Sequence, residues 1–165
     1  MLIATYTAYG FRNNMQNKNI KIQSITNKHK LFNQVKDFAF NCSWRVGKEI
    51  AQKFDKLNFD ELERIIIATN NSEICGFCTV VKKDCLPNIP YSPYISDLFV
   101  AKNYRGNRLS QKLIEFSLKY LKSKGFNKVY IISDHVNLYE KYGFIIIDKQ
   151  KAPWGSIESI FVKEI

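Results

Sequence analysis

"YISDLFVAKNYRGNRLSQKL", residues 94–113, reads as a strand, a turn and the start of a helix. Its first eight residues, 94–101, are apolar enough for a strand buried in the middle of a sheet. A short polar turn with Arg105, Gly106 and Arg108 follows. Leu109, Leu113, Phe116 and Tyr120 then recur at helical spacing, Lys122 and Lys124 fall in the last turn, and Gly125 ends the helix. "KVYIIS" (128–133) reads as the next strand. Strand, helix and strand at this spacing form a βαβ unit, so the two strands run parallel. Ligands of such units gather beyond the carboxyl ends of the strands, which places the turn at a site. The first turn of a helix has unpaired N–H groups and a partial positive charge, and so welcomes an anion. Arg105 and Arg108 add fixed charge, and Gly106 lets the backbone turn or approach a ligand. A plain basic loop is the alternative, and the turn alone does not decide between them.

Working upstream, "RIIIATNNSEICGFCTVV" (64–81) is two apolar strands joined by a tight turn at Asn70–Asn71. "IKIQSI" (20–25) is an earlier strand. Thr26 is placed to cap a helix bearing Leu31, Val35 and Phe38, and Ser43 a second one bearing Val46, Ile50, Phe54 and Leu57. Downstream come a short helical piece, "VNLYEKY" (136–142), a strand at 143–148 and a last strand at 156–165. The expectation is a mixed α/β sheet flanked by helices, in one domain over 19–165, with no repeat or linker. Residues 1–18 read as an arm or an upstream start, because Met15 opens "MQNKNIKI".

The composition bounds the function. The 165 residues are 45% hydrophobic and 24% charged, as in an ordinary soluble globular protein. There is no signal peptide pattern and no apolar run near the roughly 20 residues that cross a bilayer, so a cytoplasmic protein without membrane partners is expected. The net charge of +10 fits a polyanionic ligand. Its lysines are scattered, however, and no basic residues interleave with aromatics along a strand, so no nucleic-acid platform is expected. "CGFC" (75–78) has the spacing of a metal or redox pair. Within a strand, though, residues three apart face opposite ways, so Cys75 and Cys78 are expected to be ordinary reduced thiols, with no metal site.

A second cluster, "SDHVNLYEKYGF" (133–144), follows the second parallel strand and lies beside the first turn. It supplies Asp134, His135, Asn137, Tyr139 and Tyr142. Arg105-x-x-Arg108-x-Ser110 after an apolar-Val step, followed by a later Tyr-x-x-x-Gly-Phe at 139–144, resembles the GNAT superfamily of acyl-CoA-dependent N-acyltransferases over about residues 20–165. The departure lies at Arg108, where the family usually has Gly, and more mildly at Ser110. If residue 108 has positive φ, its Cβ costs on the order of 1 kcal/mol or more. The preferred expectation is negative φ, with the guanidinium free to pair with a phosphate.

The resemblance implies a GNAT-type sheet with a splayed parallel strand pair and acetyl-CoA in the splay. Leu98, Phe99 and Val100 would bond the pantetheine arm, and an N–H near Phe99 would polarise the thioester carbonyl. Arg105, Gly106, Asn107, Arg108, Leu109, Ser110 and Asn137 would hold the cofactor. An amine of a small molecule or protein would attack the thioester directly. Tyr139 is the candidate acid for the leaving thiolate and Asp97 the candidate base, directly or through water, with His135 as a second choice. The acceptor would meet "FNCSWRVGK" (40–48) and "KQKAPWGS" (149–156), which offer Trp44 and Trp154 for substrate contact. Arg45, Lys48, Lys149 and Lys151 make those walls basic, which argues against a polycation. A monomer or homodimer is expected. The alternative function is a catalytically reduced CoA-binding or regulatory module of the same fold.

Overall fold

The computed structural model describes residues 19–165; the arm expected over residues 1–18 lies outside the described residues. Seven strands form one sheet: β1 (Ile20–Ile25), β2 (Arg64–Asn70), β3 (Glu73–Val81), β4 (Tyr94–Val100), β5 (Lys128–Ser133), β6 (Ile145–Lys151) and β7 (Ile157–Glu164). Their spatial order is β1-β2-β3-β4-β5-β7-β6. All neighbours are antiparallel except β4 and β5, which are parallel as expected. The mixed α/β expectation therefore holds.

Among the described residues three helices cover the sheet: α1 (Phe32–Phe40), α2 (Gly47–Phe54) and α3 (Leu109–Ser123). α1 and α2 bury Val35, Ala39, Ile50 and Phe54 against Ile65, Ile67 and Phe77. α3 lays Leu109, Leu113, Ile114 and Leu121 on the other face, against Ile66, Val80, Ile95 and Val129. The close approach of α3 and β4 to β3 requires Gly76, where a Cβ would stand 2.9 Å from the Phe99 carbonyl oxygen. The short piece expected at 136–142 is one 3-10 turn over Glu140–Tyr142.

Three local expectations are corrected. Neither Thr26 nor Ser43 caps a helix: α1 and α2 begin after Leu31 and Val46, with no side-chain cap. Turns at 26–31 and 43–46 intervene, with Phe32 N–H bonded to the His29 carbonyl and Gly47 N–H to the Trp44 carbonyl. The two thiols of "CGFC" share a face, since both Cys75 and Cys78 join the core under α3. The reason is a bulge: Ala68 pairs with Gly76 but Thr69 with Ile74, which leaves Cys75 as the extra residue and resets the alternation. Both thiols are buried and in no disulfide; Cys75 Sγ donates to the Ala68 carbonyl, Cys78 Sγ lies 3.3 Å from Ser117 Oγ, and burial pushes each up to about 12. Finally, Arg108 has φ +56°, in the left-handed region, against the expectation of negative φ.

Candidate active site

The site begins where β4 and β5 part. Tyr94 and Tyr130 form their one paired position. Beyond it, β4 continues through Val100 without β5, and a cleft of about 1350 Å³ opens between the two strands. Three residues after Tyr94 β4 bulges: Thr79 faces Ser96 and Phe77 faces Phe99, so Asp97 and Leu98 oppose Cys78 alone. Asp97 sits at φ +52° in that bulge.

The cleft gathers most of the residues singled out in the sequence. Leu98, Phe99, Val100, Arg105, Gly106, Arg108, Leu109 and Ser110 line it from the β4–α3 side. Asp134, His135 and Tyr139 line it from the β5 side, and Trp44 and Trp154 from the open end. Asn107 and Asn137 are not in its wall; the Asn107 amide turns back to donate to the Tyr104 and Arg105 carbonyls. Of the four basic residues expected around the acceptor, only Arg45 lines the cleft. Lys48, Lys149 and Lys151 lie outside the lining, whereas Glu49, Asp84, Asp97 and Glu158 lie within it. The open end is therefore not a basic wall.

The turn after β4 suits an anion. The first hydrogen bond of α3 runs from Lys112 N–H to the Arg108 carbonyl, so the N–H groups of residues 109–111 have no acceptor within the helix. Arg108 is exposed in the cleft wall as the N-cap. Arg105 braces the turn as well as charging it: its Nε donates to the Val100 carbonyl at 3.0 Å, and its guanidinium lies 5.7 Å from the Phe99 ring centre. Ser110 Oγ lies 3.0 Å from the Tyr142 hydroxyl, a bond that joins the two lips of the cleft. A strand edge without its neighbour, unpaired helix N–H groups and two arginines fit a long ligand with a phosphate-bearing end.

Tyr139 is 7% exposed and packs its ring on Phe144 and Phe161, with centroids 6.3 and 5.3 Å away. Burial pushes its hydroxyl up to about 12, and the nearby Ser133 hydroxyl pulls partly the other way. At neutral pH it is a proton donor. His135 bonds Ser133 through Nδ1 at 3.0 Å and also lies 3.3 Å from Asp134.

No motif or spacing marks the polar network under Asp97. Its Oδ2 takes the Lys53 ammonium and the Thr79 hydroxyl, each at 2.6 Å. Lys53 reaches it from α2, 44 positions earlier in the chain. Burial lowers the Lys53 pKa, but Asp97 and Asp84 together outweigh it, and the net shift is upward. Ser96 Oγ donates to Asp84 at 2.8 Å, and Ser156 Oγ to the buried Glu158 at 2.6 Å. Trp44 is 38% exposed and stacks on Phe99 at 6.2 Å, whereas Trp154 is 59% exposed. The two indoles flank the open end of one cleft, as substrate contacts need.

Residues 30–144 match the model of the Acetyltransferase (GNAT) family. No curated protein matches the chain by sequence. Among solved structures, an aminoglycoside 6'-N-acetyltransferase complexed with coenzyme A superposes with TM-score 0.69 at 16% identity, over 87% of this chain and 96% of that one. A GNAT acetyltransferase from Elizabethkingia anophelis with acetyl-CoA bound gives 0.66 at 18% identity, over 90% of this chain and 100% of that one. A chain of the NatC complex bound to Gag peptide and CoA gives 0.65 at 18%, over 89% and 99%. At these identities the likeness carries the fold.

Proposed function

Because the chain belongs to the GNAT acetyltransferase family, we propose that it transfers the acetyl group of acetyl-CoA to a primary amine of a small molecule or protein, by direct attack on the thioester. Acetyl-CoA is the acyl donor. The observation that carries the reaction is the parting of β4 and β5 after one pair, with the free edge of β4, the α3 N-terminus and Tyr139 lining one cleft. The four free cysteines fit a reducing compartment, so we place the reaction in the cytoplasm.

In this proposal main-chain groups of Leu98, Phe99 and Val100 hold the pantetheine arm, and an N–H near Phe99 polarises the thioester carbonyl. The α3 N-terminus, with Arg105 and Arg108, takes the pyrophosphate. The acceptor enters between Trp44 and Trp154. Its nitrogen loses a proton, bonds to the carbonyl carbon, and the carbon–sulfur bond breaks. Tyr139 donates its proton to the departing thiolate and regains one as the new amide nitrogen sheds its second. Of the two protons that leave nitrogen, one is matched by that on the CoA thiol and one goes to solvent. Asp97, the candidate base of the sequence, instead keeps the Lys53 ammonium and the bulged backbone in place, because that ammonium already matches its charge.

Thermal denaturation with and without acetyl-CoA tests the donor. Ligand at about 100 times its Kd adds roughly 2.7 kcal/mol, and no shift at millimolar acetyl-CoA refutes the proposal. Amine-dependent thiol release then separates turnover from binding alone.

A further inference from the structure

We infer that Asp84 is the residue that receives the acceptor's ammonium group and takes its proton, and that the acceptor is therefore a cationic amine. This rests on the acetyltransferase reading and assigns the step that reading leaves open.

The geometry separates the carboxylates of the cleft. Asp97 takes the Thr79 hydroxyl and is ion-paired to the Lys53 ammonium, so its charge is already matched. Glu158 Oε1 is held by Ser156, on the β7 wall. Asp84 lies in the loop between β3 and β4, half-buried, in the wall of the same cleft. Both of its hydrogen bonds fall on Oδ1, from Ser96 Oγ and from Cys85 N–H, each at 2.8 Å. Oδ2 takes none among the described residues. Both donors are neutral, and no ammonium or guanidinium pairs directly with Asp84 among the described residues, whereas Asp97 is ion-paired to Lys53 at 2.6 Å; Asp84 is thus fixed in place without a paired cation. Ser96 anchors it to β4 three positions before Phe99, where the thioester carbonyl is proposed to lie.

The charges around it fit a visiting cation. Lys53 from α2 is one ammonium against Asp84 and Asp97, and Glu158 adds a third carboxylate to the cleft. Arg45, Glu49 and Lys83 stand at the exposed rim, where water and salt screen them. Burial raises the Asp84 carboxyl above the ordinary range, Lys53 opposes this, and Asp97 adds to it. Tyr94 on β4 and Tyr139 beyond β5 both feel its charge. A carboxylate so placed is a better proton acceptor than one in water. In the step, the proton passes from R–NH3+ to Asp84 Oδ2 and leaves the nitrogen lone pair free for the thioester carbon. Asp84 returns the proton to solvent after product leaves.

The test compares two nucleophiles that differ in the need for a base. 1,3-Diaminopropane is protonated at pH 7, whereas hydroxylamine is mostly free base there. Asp84→Asn is expected to lower kcat/KM for the diamine at least about 100-fold and hydroxylamine acetylation less than about threefold. The ascending limb of the diamine pH profile should move to higher pH. An unchanged acetyl-CoA thermal shift shows that the variant is folded, and Asp84→Glu should restore part of the diamine rate. Equal rates of wild type and Asp84→Asn with the diamine overturn the assignment, as does an equal loss with both nucleophiles. A protein that binds acetyl-CoA but acetylates neither overturns the transferase reading and this inference with it.

Discussion

Replacing Arg108 with glycine should move stability and cofactor affinity in opposite directions. Arg108 sits at φ +56° at the head of α3. A left-handed backbone costs an L-residue roughly 1–2 kcal/mol, and glycine avoids that cost. Glycine gives back roughly 0.5–1 kcal/mol through the freedom of the unfolded chain. The net expectation is about 0.5–1 kcal/mol of added stability, or roughly 1–4 °C in Tm for a chain of this size. The same change removes a guanidinium exposed in the cleft wall. A charge-assisted hydrogen bond to phosphate contributes about 1.5–3 kcal/mol, and exposure to water and salt reduces that toward 1.4 kcal/mol, about tenfold in Kd. Differential scanning fluorimetry of the free protein and calorimetric titration with CoA read the two effects separately. The affinity loss should shrink as salt rises. Tighter CoA binding by Arg108→Gly would show that the side chain obstructs the phosphate site, and a lower Tm would refute the backbone argument.

Other predictions follow from the same geometry. Tyr139→Phe keeps the packing on Phe144 and Phe161 and should lower kcat about 100-fold with little change in KM; steady-state kinetics with a wild-type kcat would remove Tyr139 from the reaction. Asp84→Asn should be more stable than wild type at pH 7. The raised folded pKa of Asp84 means that ionising it costs stability, so the difference should vanish below the ordinary value of 3.8; chemical denaturation across pH would show this, and a less stable variant at pH 7 would contradict it. Lys53 has the same sign at the alkaline end: its contribution is whole below 10.5 and is lost as pH rises through its higher folded value. Lys53→Met should remove that alkaline loss in the same titration. Trp154→Ala should raise KM for the amine severalfold and leave that for acetyl-CoA unchanged; a change confined to acetyl-CoA would take Trp154 out of the acceptor site.

The strand–helix–strand unit was legible because each signal in it is local. The apolar run at 94–101, the stripe from Leu109 to Tyr120 and the stop at Gly125 all act within a few residues, and the parallel pairing follows from chain length alone. The family pattern at 105–110 and 139–144 then located the cleft. The rest depended on backbone detail that residue types do not encode. Nothing in "RGNRLS" shows that the second arginine takes the left-handed conformation. One extra residue at Cys75 turned two thiols expected to diverge onto one face. Thr26 and Ser43 have the chemistry of helix caps, but turns intervene before each helix. The charged cleft residues Lys53, Asp84, Asp97 and Glu158 come from α2, a loop, β4 and β7, and no spacing joins such distant positions. Asp84 in particular reads as an ordinary turn aspartate before a proline-rich loop.

Acetyl transfer to nitrogen is open to direct observation. The most direct measurement incubates the protein with acetyl-CoA and a panel of primary amines, follows free thiol, and weighs each amine by mass spectrometry. The expected result is thiol release that depends on both protein and amine, with one acetyl group gained by a cationic amine. Acetyl-CoA that binds, with no thiol released and no amine acetylated across the panel, would contradict it.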